Sequence, residues 1–278
     1  MSTHTVPVRM SLDGPAGKLS YLRWSADSER APILCLHPVN TAAAVWTEMI
    51  AGLPDRDVVA IDYRGHGHSA VGGPYFPVDY ASDALALFAA LGYQKVHLLG
   101  GSIGGAVAVE FAVANPDAVA SISLFGATLH LGLAADQLEP MVDALRQMGV
   151  RQWFGEHGGE ILGHRAAPDA PGTLVRLAAG RDIEAVIEIL TTTFGKADSR
   201  PVADALARSG SVPPSLVVVG RDDPTCPPTM AADLAGYLSA TVTTMEGVGH
   251  LPMLETPGEA ADLVSTFLAG LESSEEGR

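Results

Sequence analysis

The chain has 278 residues, of which 47% are hydrophobic, 18% charged and 6% aromatic, a globular composition that excludes a disordered, collagenous or coiled-coil protein. Lysine and arginine number 17 against 32 acids, so the formal charge is −15 and the surface repels nucleic acid and anionic membranes. Two cysteines (Cys35 and Cys226), no zinc-type cluster, no bilayer-length apolar run and no apolar leader core in Met1–Met10 together predict a reduced, cytoplasmic protein without disulfides or a metal site.

The first two strand candidates, Val6–Leu12 and Lys18–Trp24, alternate apolar and polar residues around a Gly14–Pro15 turn and predict an antiparallel edge hairpin. Strand Ile33–His37, helix Ala42–Gly52, strand Asp57–Asp62 and helix Val78–Leu91 follow. Next come strand Val96–Gly100, helix Ile103–Asn115 and strand Ser121–Gly126. Asn115–Pro116 ends its helix, because the residue before a proline resists helical ψ. Between His130 and Arg208 the alternation stops, and only helical pieces remain: Leu138–Met148, Gly172–Ala179, Ile183–Phe194 and Val202–Arg208. Strand Leu216–Gly220, helix Pro227–Leu238, strand Thr241–Glu246 and helix Pro257–Leu271 complete the pattern. Thr256–Pro257 supplies the last helix with a cap and a first-turn proline. The acidic end, Glu272 to Arg278, reads as frayed and solvated.

Ile33–Leu36, Val96–Leu99 and Leu216–Val219 are apolar without alternation, as strands covered on both faces must be. The expected fold class is therefore α/β, a mostly parallel eight-stranded sheet flanked by helices. Residues 1–129 and 209–278 form its core. Residues 130–208 form a helical cap over the carboxyl ends of the strands, where open parallel sheets bind ligands.

Gly100-Gly101-Ser102-Ile103-Gly104-Gly105 lies between a predicted strand and a predicted helix. A serine on so sharp a turn exposes its hydroxyl, and its neighbours two residues away must be small because strand and helix backbones nearly touch. The following helix aims free N–H groups at the same point. Serine needs a base. His250, in Gly247-Val248-Gly249-His250-Leu251-Pro252, follows the last strand at the same sheet edge. An acid must orient that imidazole. Asp222 and Asp223 compete after Leu216–Gly220; Asp223, beside Pro224, is the expected partner, and Asp222 a turn or surface residue.

The chain order Ser102, Asp223, His250 resembles the α/β-hydrolase superfamily over nearly the whole chain. The resemblance extends to Leu36-His37-Pro38-Val39, to Asp62-Tyr63-Arg64-Gly65-His66-Gly67-His68-Ser69 and to Gly249-His250-Leu251-Pro252-Met253-Leu254-Glu255. Gly73-Pro74-Tyr75 and Asp83-Ala84-Leu85-Ala86-Leu87 are similar to the 3-oxoadipate enol-lactonase and related small-ester hydrolases. The resemblance implies a serine hydrolase acting on a small-molecule ester or lactone, with the backbone N–H groups of Val39 and Ile103 as oxyanion donors and no cofactor. Many members carry His-Gly where this chain has His37-Pro38; proline stiffens the loop but leaves the N–H of Val39 in place. Carbon–carbon bond hydrolysis and cofactor-free haloperoxidase or perhydrolase chemistry use the same three residues, and a hydrolase-like binding protein is a further alternative. The number of copies in solution stays open, a homodimer included.

Other polar residues read as structural. His37, His66 and His68 tie loops together, His97 is a core residue, and Asp62 holds a turn. Cys226 is a poor second nucleophile because nothing basic accompanies it. Asn40 either caps the helix near Ala42, the expected role, or adds a side-chain donor to the oxyanion site. His130, Trp153, Phe154, His157, His164 and Phe194 are candidates to line a pocket, Trp153 and Phe194 reading first as cap core. The cap carries seven arginines (Arg146, Arg151, Arg165, Arg176, Arg181, Arg200 and Arg208), most of which read as solvated helix faces, while one facing the pocket could clamp a substrate carboxylate.

Overall fold

In the computed structural model, which describes residues 6–53 and 56–276, β1 (Val8–Gly14) and β2 (Gly17–Trp24) form the expected antiparallel hairpin, in register from Val8↔Arg23 to Gly14↔Gly17. Part of the leader expectation for Met1–Met10 and the last two residues of the acidic tail fall outside the described residues. Six further strands follow: β3 (Ile33–Leu36), β4 (Val58–Asp62), β5 (Val96–Gly101), β6 (Val119–Phe125), β7 (Ser215–Gly220) and β8 (Thr241–Met245). The sheet order is β1-β2-β4-β3-β5-β6-β7-β8, parallel from β4 onward. The chain leaves β3 toward one edge and returns at β5 to build the other half. That reversal is a topological switch point, where α/β sheets open a crevice.

The period of two along each strand explains the layers. Leu34 and Leu36 of β3 face one cluster, with Val59, Leu98, Leu124 and Val217. Ile33 and Cys35 face the other, with Val58, Ala60, Leu99 and Val218. The first face is covered by α2 (Pro77–Ala90), α3 (Gly104–Ala114), α8 (Arg200–Ser209) and α9 (Pro228–Leu238), through residues such as Leu87, Phe111, Leu206 and Leu234. The second is covered by α1 (Thr47–Ile50) and α11 (Pro257–Glu276), through Met49, Ile50, Val264 and Leu268, with α10 (Pro252–Glu255) packed between them.

Helices α4 (Ala135–Met148), α5 (Val150–His157), α6 (Ala170–Ala178) and α7 (Ile183–Leu190) are inserted between β6 and α8 and share an apolar cluster built on Leu138, Leu145, Val186 and Leu190. The expected boundary at residue 208 takes in α8, which packs instead on α3 and α9 as the crossover into β7.

Four local expectations change. Ala42–Gly52 is a 3₁₀ turn over Ala43–Trp46 leading into α1, because Ala43, Val45, Trp46, Met49 and Ile50 are all buried and packing overrides an amphipathic helix. The α5 helix escapes the sequence pattern because Gly149, Gly155 and Gly158 interrupt it; Trp153 and Phe154 anchor it through tertiary contacts. The Thr256 hydroxyl caps nothing, although α11 does start at Pro257. The acidic tail continues α11 to Glu276, and Glu272 accepts a hydrogen bond from the buried Arg56 at 2.5 Å. Among the described residues no helix is long and apolar enough to cross a membrane.

Candidate active site

Ser102 occupies the turn between β5 and α3 with φ 52°, a left-handed conformation that costs a non-glycine residue about 1–3 kcal/mol. The surroundings hold it: its N–H donates to the Phe125 carbonyl at 3.1 Å, and its own carbonyl accepts from Gly105 at 3.0 Å. A Cβ on Gly104 would lie 2.3 Å from the Leu36 carbonyl oxygen, so the approach of helix to strand demands the glycine that the spacing predicted.

The structure brings the three distant side chains together. His250 Nε2 lies 3.0 Å from Ser102 Oγ, and His250 Nδ1 lies 2.9 and 3.1 Å from the Asp223 carboxylate oxygens. All three residues are buried. Asp223 Oδ1 also accepts the N–H groups of Thr225 and Cys226, each at 2.8 Å, which fixes the carboxylate. The carboxylate holds the proton on Nδ1 and leaves the Nε2 lone pair facing the serine hydroxyl, an arrangement able to accept that proton as Oγ attacks. Asp222 points away, exposed, with its carboxylate 3.5 Å from His164.

Glu255, which the sequence patterns did not single out, braces this loop. Its carboxylate accepts from Gly249 (2.9 Å) and Leu251 (2.9 Å), on either side of His250, and from Gly163 of the inserted segment (2.7 Å). His250 N–H in turn donates to the Ile161 carbonyl at 2.8 Å, so the inserted segment and the histidine loop lock together. Glu255→Gln replaces one acceptor oxygen by a donor and leaves a buried N–H unsatisfied. It is expected to lower unfolding free energy by about 1–3 kcal/mol, measured by urea titration.

Two of the three histidines assigned to the loops, His37 and His66, hold them, whereas His68 is exposed and contributes its backbone N–H rather than its ring. His37 Nδ1–H donates to the Pro38 carbonyl (2.7 Å) while Nε2 accepts from Tyr63 N–H (3.2 Å). His66 Nδ1–H donates to the Arg64 carbonyl (3.0 Å) and Nε2 accepts from Asn40 N–H (3.2 Å). Asp62 accepts from the N–H groups of Ala43 and His68, and His97 meets Ser121 Oγ at 2.8 Å. Asn40 does not cap the helix near Ala42: its Oδ1 accepts from Arg181 at 2.9 Å, an arginine that also donates to the Gly65 carbonyl, and the residue lines the cavity over Ser102. That latch joins the inserted helices to the loop carrying Val39. Val39 and Ser102 line one cavity, and neither Val39 N–H nor Ile103 N–H has a hydrogen-bond acceptor among the described residues. Burial pushes the Cys226 thiol well up, so a thiolate is disfavoured there.

Burial also holds two of these histidines neutral. His37 is pushed down from 6.5 to about 4, and His66 well below its ordinary value. In the unfolded chain both take a proton near 6.5. The unfolded state therefore binds more protons between pH 6.5 and about 4, and stability falls with pH through that window, by up to about 1.4 kcal/mol per unit for each histidine. Urea midpoints recorded from pH 7 to 4 check this; a flat profile contradicts it.

The cavity over Ser102 has a volume of about 570 Å³ and is roofed by inserted residues, including Trp153, Phe154, His157 and Phe194. His130 and His164 lie outside it, as do all seven arginines weighed as carboxylate clamps.

A sequence model of the family described as alpha/beta hydrolase fold matches residues 31–257. The chain is similar to the pimeloyl-acyl-carrier-protein methyl ester esterase of Neisseria meningitidis serogroup C, with 31% identity over 254 residues, 86% of this chain and 94% of that protein. Among solved structures it is similar to the enol-lactonase from Burkholderia xenovorans LB400, with TM-score 0.82, 21% identity and coverage of 94% and 100%. A thermophilic esterase from Thermogutta terrifontis gives TM-score 0.80, 22% identity and coverage of 96% and 99%. At these identities the two structures share a fold.

Proposed function

This chain belongs to the alpha/beta hydrolase fold family and is an enzyme of that fold, and on that premise we propose that it is a serine hydrolase cleaving a small carboxylic ester or lactone through an acyl-enzyme. The single observation that carries the proposal is the continuous relay from Ser102 Oγ to His250 (3.0 Å) to Asp223 (2.9 Å). The name of the Neisseria relative supports an ester as substrate.

Ser102 Oγ attacks the carbonyl carbon while His250 Nε2 takes its proton. The carbonyl oxygen becomes an oxyanion facing the N–H groups of Val39 and Ile103, donors that lie idle in the free enzyme. Removing one such donor typically costs about 10²–10³ in rate. The imidazolium, held by Asp223, then protonates the leaving alcohol oxygen as the tetrahedral intermediate collapses. Water enters, gives a proton to His250 and attacks the acyl carbon; His250 returns that proton to Ser102 as the acid leaves. The buried carboxylate steadies the cationic imidazole in both halves.

The test is a fluorophosphonate probe together with a panel of nitrophenyl esters, enol-lactones and vinylogous diketones. Labelling at Ser102 with ester or lactone turnover is the expected result. Turnover confined to the diketones would move the chemistry to carbon–carbon bond hydrolysis, and tight ligand retention without turnover would make the chain a binding protein.

A further inference from the structure

The chamber over Ser102 differs in character from the protein around it. The chain carries a net charge of −15, yet the chamber wall is Leu133, Met141, Trp153, Phe154, Leu174 and Phe194. Part of its polar lining at the floor is already engaged. Ser102 and His250 hold each other, Asn40 Oδ1 is taken by Arg181, and the Thr41 hydroxyl donates to the Pro38 carbonyl at 2.7 Å. Apart from His250, the ionisable lining residues are His157 and Glu160, whose side chains face each other at 3.3 Å and are 39% and 70% exposed, so they sit toward the mouth. No lysine or arginine among the described residues lines the chamber.

Resting on the serine-hydrolase proposal above, we infer that the substrate's chain is uncharged and apolar, and that the chamber turns away a chain ending in a carboxylate. A carboxylate carried into this space loses its hydration and meets no lysine or arginine, and the idle N–H groups of Val39 and Ile103 beside Ser102 are taken by the reacting carbonyl, so the few neutral donors left on the walls do not offset the penalty. Glu160 at the mouth and the acidic surface add repulsion on the way in. An apolar chain instead replaces water against aromatic and aliphatic walls, and about 570 Å³ lies in the range of pockets that enclose whole small ligands. The enol-lactone of 3-oxoadipate bears a free carboxylate. The resemblance noted in the sequence therefore extends to the scaffold and its motifs, while the chamber selects a different, neutral ester.

The experiment compares p-nitrophenyl octanoate with mono-p-nitrophenyl suberate, which has the same chain length but a terminal carboxylate. A p-nitrophenyl ester of 8-aminooctanoic acid is the cationic control. The neutral ester is expected to exceed the suberate in kcat/KM by about 10²-fold, mostly through KM. Met141→Arg, which places a cation in the wall, is expected to narrow that ratio at least about tenfold. Equal kcat/KM for octanoate and suberate, or preference for either charged chain, overturns the inference. A separate outcome reports on the hydrolase proposal itself: no ester turned over and no fluorophosphonate label on Ser102. The chamber is then read by calorimetry, with octanamide against suberamic acid. Tighter binding of octanamide upholds the apolar chamber; no octanamide binding, or tighter binding of the acid, overturns it.

Discussion

On the proposed mechanism Ser102→Ala is expected to lower kcat by a factor on the order of 10⁶, because removing the nucleophile of a concerted relay costs about as much as removing the whole relay. The substitution deletes one oxygen from a buried turn. The backbone bonds that hold Ser102 at φ 52° are made by its N–H and carbonyl, and these survive. His250 keeps both contacts to Asp223. The urea midpoint is therefore expected to stay near wild type while ester turnover and fluorophosphonate labelling disappear together. Turnover at wild-type rates, or labelling at another residue, removes serine from the mechanism.

Asp223→Asn is expected to cost about 10⁴ in kcat with little change in fold. Asp223 Oδ1 accepts two backbone N–H groups, from Thr225 and Cys226. The asparagine carbonyl oxygen takes that place, which turns its NH₂ toward His250 Nδ1. A donor there forces Nδ1 to accept, moves the ring proton to Nε2 and leaves no lone pair facing Ser102. Asp222→Asn touches only an exposed contact with His164 and is expected to leave kcat within about twofold, as for an exposed pair worth little. Steady-state rates on one ester for the two variants decide between them; a large loss for Asp222→Asn with none for Asp223→Asn reassigns the acid.

Much of the site is legible in the sequence because its residues sit at strand ends with local signatures. Ser102 announces itself through Gly100 and Gly104, whose small size answers a backbone approach that exists in any strand–turn–helix of this sharpness. His250 and Asp223 are legible through glycine- and proline-bounded loops after unbroken apolar strands. The helical insertion shows as an interruption of the strand–helix alternation. Its limits do not, since Val202–Arg208 has the same amphipathic pattern whether it roofs a cavity or, as α8, covers a sheet.

Glu255 and Arg181 show the other side. Glu255 stands within a quoted motif, but a glutamate four residues beyond Leu251 looks like any helix residue until its carboxylate is seen holding three backbone N–H groups. Arg181 looks like one of seven arginines, and only the fold places its guanidinium between Asn40 and Gly65 rather than in the chamber.

By itself, then, the sequence determined the alternation of elements, the sheet class and the three side chains at the sheet's carboxyl edge, because periodicity, turn chemistry and tight backbone turns are properties of neighbouring residues. The tertiary structure alone decided what braces the His250 loop and what lines the space above Ser102. Those contacts join segments as far apart as Gly163 and Glu255, and a buried polar group's partners are settled by desolvation at the place where such segments meet.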